Sequence, residues 1–199
     1  MKGLKVRFVA SPLVKDIFDA LGTNPVNINW SEALTAFQQG LVDAGENPYN
    51  TMIPYRIYDF PSGKYITEWH YTCAAMFFVA NTKVWNSFDE DTRKILKECA
   101  DESGIYQAML GRMGIDDGTA IKWLTENELL PPDTTTMPHD PYKLLEENGV
   151  TVIRLTLEEQ QKFMDATKGV MEKWTKVVGE DLVQAARDDF AAWFAKEKN

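Results

Sequence analysis

Residues 3–48 read GLKVRFVASPLVKDIFDALGTNPVNINWSEALTAFQQGLVDAGENP, and this stretch decides the fold class. Leu4 to Val9 mixes apolar and basic residues in a strand-like run. Val14, Ile17, Phe18 and Leu21 then fall at helical spacing before Gly22 stops the helix. Pro25–Asn29 is a short extended segment, and Ser31 is placed to cap a helix over Glu32–Gln39 that ends at Gly40. Leu41–Ala44 reads as a third short strand. Gly45-Glu46-Asn47-Pro48 reads as a turn, because the residue before a proline is driven out of the helical region, and Pro48 opens another helix. Strands alternating with helices in this way build an α/β unit on a largely parallel sheet.

Further along, Tyr65–Asn81 is the longest strand candidate, and its Cys73–Ala80 stretch is apolar on both faces, as in a central strand. Asp89 to Asn127 reads as one long helix with Ile95, Leu96, Cys99, Ile105, Tyr106, Met109, Leu110 and Met113 near one stripe. Gly104, Gly111, Gly114 and Gly118 are its expected break points, since each costs up to ~1 kcal/mol against alanine. The proline-rich segment from Pro131 to Pro141 is a loop. A short helix, a strand over Val150–Leu155 and two long helices, Leu157–Val178 and Asp181–Lys198, complete the chain.

Charge narrows the function classes. With 21 basic against 30 acidic residues and a net charge of −9, there is no clustered Lys/Arg field for nucleic acid. The longest apolar run, Cys73–Ala80, falls far below the ~20 residues a membrane-spanning helix needs. Met1 to Val9 carries no signal-peptide core; the chain opens on what reads as an internal strand, as though a preceding part were missing. Cys73 and Cys99 have no second cysteine or histidine at metal-ligand spacing, so they are expected as buried thiols, with pairing left open.

Catalytic chemistry finds little support. His70 and His139 are the two histidines, and no nucleophile elbow, Cys/His pair, metal-binding helix or phosphate-cradling loop is present. Asp43 and Glu46 are close enough in sequence for acid–base work, yet on a turn they serve equally as solvated or capping groups. A binding constellation stands out instead. Arg7 lies inside an otherwise apolar strand, where an unpaired guanidinium is costly to bury; Trp30 closes the second extended segment and Asn47 follows the third. In adjacent parallel strands all three come near the carboxyl ends, where open α/β sheets bind ligands. Arginine offers a fork that matches a carboxylate, asparagine a directional donor, and tryptophan a flat wall. The competing reading is an exposed arginine, a core tryptophan and a turn asparagine.

The same residues carry a family resemblance. Gly3-Leu4-Lys5-Val6-Arg7, Ser11-Pro12 and Leu21-Gly22 with Asn24-Pro25-Val26 resemble the solute-binding proteins of TRAP transporters, the DctP-type family. The likeness continues through Trp30-Ser31-Glu32-Ala33-Leu34, Ala36 to Gly40, Val42-Asp43, Glu46-Asn47-Pro48, Trp69-His70-Tyr71, Val84-Trp85 and Gly149-Val150. It implies the second lobe of a two-lobe, type II periplasmic-binding-protein-like α/β fold with long C-terminal helices. Residues 1–85 would form the ligand-binding lobe; residues 86–199 would pack on that lobe or on a partner.

The resemblance further implies a periplasmic receptor that captures an organic acid and passes it to a TRAP membrane permease, with no enzymatic step, cofactor or metal. Arg7 would pair with the ligand carboxylate, Asn47 would contact the same group, and Trp30 would pack on the ligand. His70 would be a polar pocket residue, and Trp69 would contact the ligand body. Family members carry a signal peptide and an N-terminal lobe that this sequence lacks. The expectation is therefore weak acid binding by this chain alone, with self-association or domain exchange through the exposed apolar surface. The alternative is a standalone self-associating lobe that binds no solute. Phe163, Met164, Met171, Trp174, Phe190, Trp193 and Phe194 would serve such an interface, or form this lobe's own core.

Overall fold

Three short parallel strands carry the architecture. The computed structural model describes residues 1–70, 72, 77–113, 116–130 and 140–197, apart from the side chains of Asn50, Phe190 and residues 193–197. The calls on Tyr71, Cys73, His139, most of the 131–141 loop, and the Phe190, Trp193 and Phe194 side chains therefore lie outside the described residues.

Strand β1 (Lys5–Phe8) lies between β2 (Asn24–Asn27) and β3 (Ala44–Gly45), both parallel to it. The connections are helices α1 (Pro12–Ala20) and α2 (Trp30–Gln38). The Ser11 side chain accepts from the Val14 amide to cap α1, and Pro12 sits in the first turn, where its missing N–H loses nothing. Helix α2 starts two residues earlier than the Ser31 cap implied: Asn29 holds the cap position without a side-chain bond, and Ser31 lies within the first turn.

Strand register sorts the side chains. Val6 stands opposite Pro25 and Ala44, and Arg7 opposite Val26 and Gly45. Side chains alternate between faces with period two. Val6, Phe8 and Ala44 accordingly pack with Phe18, Val14 and Leu21 of the α1 layer. Val26, Ile28 and Trp30 pack with Ala33, Ala36, Phe37 and Val42 on the α2 side.

The chain divides into two compact units. The first comprises Met1–Asn47, Asp59–Trp69 and Ile153–Asn199. Besides the parallel sheet it holds β4 (Tyr65–Glu68), which pairs with β5 (Thr151–Arg154), and the Arg154 guanidinium donates to Glu68 at 3.1 Å. Helix α8 (Leu157–Val178) keeps the bounds its sequence implied, because Thr156 and Glu159 form a reciprocal capping box and Gly179 ends it. It packs on α1: Phe163 meets Trp69 edge-on at 4.9 Å, and Asp16 accepts from Lys173 at 2.6 Å and from the Trp174 indole at 2.7 Å. Helix α9 (Glu180–Glu197) follows.

The second unit comprises Pro48–Tyr58 and His70–Val152. It contains α3 (Tyr49–Met52), α4 (Thr82–Ser87), α5 (Glu90–Arg112), α6 (Thr119–Glu126) and α7 (Pro141–Glu147). Of the expected break points in the long helix, Gly118 takes φ +91° between Arg112 and Thr119, where the helix does break, Gly104 and Gly111 stay helical, and Gly114 lies outside the described residues. Two expectations are corrected here. Among the described residues of the 65–81 candidate, the strand is Tyr65–Glu68, and Phe77, Phe78 and Val79 are 81–84% exposed; Cys73–Met76 lie outside the described residues. An apolar run becomes a central strand only where neighbours pair with it and cover it, and the described residues supply none there. Cys99 is exposed on α5 rather than buried, since α5 buries none of its residues.

The Asp16 clamp has a pH signature. The Lys173 and Trp174 hydrogen bonds hold its carboxyl below the ordinary range. A carboxylate with a depressed folded pKa contributes fully above its unfolded value of ~4 and loses that contribution as pH falls through the folded value. Thermal melts from pH 6 to pH 2 should show a shallower acid loss for Asp16→Asn than for the parent; equal slopes would remove the clamp from the account of acid lability.

Candidate functional site

Arg7 is 3% exposed, at the third position of the central strand β1. A buried guanidinium needs acceptors for a fork of five N–H groups. Its Nε donates to the Ile28 carbonyl at 3.0 Å, just past the end of β2. The Trp30 ring lies 5.4 Å from the guanidinium carbon, within cation–π range. Burial pushes the Arg7 pKa below its ordinary value, and the Glu46 carboxylate works in the opposite direction. The group stays protonated throughout the working pH range.

Register explains why these residues meet. Arg7 shares its sheet face with Val26 and Gly45; Ile28 and Trp30, which follow β2, pack on that side, and Asn47 follows β3. Asn47 is half-buried; its Nδ2 would lie 3.5 Å from a Cβ built on Gly45. The carboxyl edge of the sheet therefore gathers a held guanidinium, an aromatic wall and an amide within one compact unit. This arrangement can grip a planar anion through the outer edge of the fork and place an apolar body against the indole.

Trp69 occupies the other side of the sheet. It packs with Val6, Phe8 and Phe18, its ring 6.2 Å from Phe18 and 4.9 Å from Phe163, so packing accounts for its place. His70 opens the second compact unit, exposed, with φ +52° in the left-handed region that a side chain disfavours. Three contributors had no role assigned from sequence: the Ile28 carbonyl, Glu46 as the charge beside Arg7, and Gly45 with Phe37 on it. Strand alternation held the signal for Gly45, but only once the register was known; no local pattern marked Glu46. Among the described residues no group of three or more His, Cys, Asp and Glu side chains could hold a metal.

A family model described as "Bacterial extracellular solute-binding protein, family 7" (DctP) matches residues 1–112. The C4-dicarboxylate-binding periplasmic protein DctP of Vibrio cholerae serotype O1 is 25% identical over 189 residues, 93% of this chain and 48% of the relative. A TRAP periplasmic solute binding protein from Ralstonia eutropha H16, solved with bound (S)-2-acetolactate, is 33% identical with TM-score 0.78. That match covers 96% of this chain and 55% of the Ralstonia one. Another from Shewanella oneidensis, with bound succinate, is 28% identical with TM-score 0.67, over 93% and 53% of the two chains. The chain thus spans about half the length of the relatives it matches, and its α/β fold is that of about half of a TRAP solute-binding protein.

Gly45 lets the site close up. A Cβ there would run into the Phe37 ring, so the ring can sit against β3 only because the side chain is absent. Gly45→Ala should lose about 1–3 kcal/mol in urea unfolding through overpacking. Gly104→Ala, in the middle of α5 with nothing within 4 Å, should gain up to about 1 kcal/mol. An unchanged midpoint for Gly45→Ala would show that Phe37 yields freely.

Proposed function

The chain belongs to bacterial extracellular solute-binding protein family 7, and we propose from that premise that it captures an organic acid in the periplasm for a TRAP membrane permease, with Arg7 receiving the carboxylate. The observation that carries this reading is the held guanidinium: 3% exposed, tied at Nε, faced by Trp30, and standing at the edge where open α/β sheets take ligands. Fixing Nε and the ring plane before the ligand arrives lowers the ordering cost of binding. Asn47 donates to the same carboxylate and Trp30 packs on the ligand body. Support comes from two solved relatives above 25% identity, whose bound molecules, (S)-2-acetolactate and succinate, are both carboxylates. The role is binding and delivery, with no catalytic step.

Affinity for this chain alone is weak, in the millimolar range. An ion pair open to water is worth only ~0–1 kcal/mol, and it strengthens when a second wall excludes water. That wall is an N-terminal lobe matching the part of the relatives that this chain does not cover. A specific observation favours the same completion: Leu157, Met164, Met171 and Val178 recur every seventh residue along α8 and are all exposed. Such a stripe is the kind of surface a further lobe buries. The second reading, a self-associating lobe that binds no solute, uses the stripe for a second copy instead. Light scattering together with acid titration separates the two.

Arg7 is the residue to change. Arg7→Met preserves length and removes a buried charge, an exchange that is often close to neutral for stability. It should leave the melting temperature within a few degrees and abolish stabilisation by any acid in a thermal-shift assay at tens of millimolar ligand and matched ionic strength. Arg7→Lys, which keeps the charge but loses the fork, should weaken binding at least tenfold. Acid stabilisation that survives Arg7→Met would overturn the reading.

A further inference from the structure

Resting on that reading, we infer that the acid held by Arg7 is a short monocarboxylate with an apolar body, and that Trp30 makes the selection. Charge gives the first reason. The stretches that end the three parallel strands, Phe8 to Ala10, Ile28 to Trp30 and Glu46 to Asn47, add no lysine or arginine to Arg7. Glu46 is the charge they do add, and its field reaches Arg7. One carboxylate on the fork is therefore matched on this edge, while a second meets no second cation among these residues and is opposed by Glu46.

The wall gives the second reason. Trp30 lies over the guanidinium and packs with Ala33, Ala36, Phe37 and Val42. The carbon face of the indole is what lies nearest the guanidinium on that side, and Val26, Ile28 and Phe60 pack in the same layer. Each sugar-acid hydroxyl turned towards this wall loses water without gaining a partner, a penalty of roughly tenfold in affinity. A branched alkyl group against the indole gains instead. The same ring therefore does two things: it holds the fork in plane and sorts acids by the body attached to the carboxylate.

The test titrates the 199-residue chain, followed by backbone-amide chemical shifts, with 3-methyl-2-oxobutanoate, succinate and D-glucuronate at matched ionic strength. The monoacid should bind at least tenfold more tightly than either of the others. Trp30→Phe, which keeps an aromatic ring in the cluster, should reduce that preference severalfold while changing the succinate affinity little. Equal or tighter binding of succinate or D-glucuronate, lost in Arg7→Met, would overturn the selectivity and leave the carboxylate site standing. An unchanged preference in Trp30→Phe would overturn the role given to Trp30. Shifts with none of the three acids would overturn the selectivity and the carboxylate site together.

Discussion

A protonated guanidinium inside an apolar sheet is the constraint around which this lobe is organised. Arg7 stands in the central strand with 3% of its surface exposed, where an uncompensated cation would be strongly unfavourable. Its compensation is local: one backbone carbonyl, one aromatic face and one nearby carboxylate. None of these is a close ion pair, so the fork is positioned without being neutralised. A cation held in this way suits reversible binding of an anion.

The surrounding fold supplies the rigidity. Because β1 lies between two parallel neighbours, the position of Arg7 is set by register on both sides. Gly45 lets Phe37 lie against β3, which seats α2 and with it Trp30. On the opposite face Phe18 and Trp69 fill the α1 layer, and α8 adds Phe163 and the Asp16 clamp. Each face thus carries its own packed layer, with Arg7 and Trp30 on the α2 side.

Much of this was legible in residues 3–48. Local spacing, a proline at a helix start and glycines at helix ends are short-range signals, and they gave three strands and two helices in the right order. Helix α8 was legible to the residue because its capping pair and terminal glycine are local as well. The failures share a physical origin in partners. Whether the run from Tyr65 to Asn81 is a strand depends on what pairs with it, and whether Cys99 is buried depends on what covers α5. The packing of Trp69 with Phe18 and Phe163 is likewise a tertiary fact that its neighbourhood in sequence does not carry.

Observing the guanidinium itself addresses the central role of Arg7 most directly. The side-chain nitrogen signals of Arg7, assigned by their loss in Arg7→Lys, can be followed while an acid is titrated into the isotopically labelled chain. Direct receipt of a carboxylate requires the Nη signals to move with the same saturation curve as the backbone amides near Asn47, and their proton exchange with water to slow. Saturable amide shifts with Arg7 signals that stay where they were would mean that the acid binds elsewhere, and would contradict the role given to this residue.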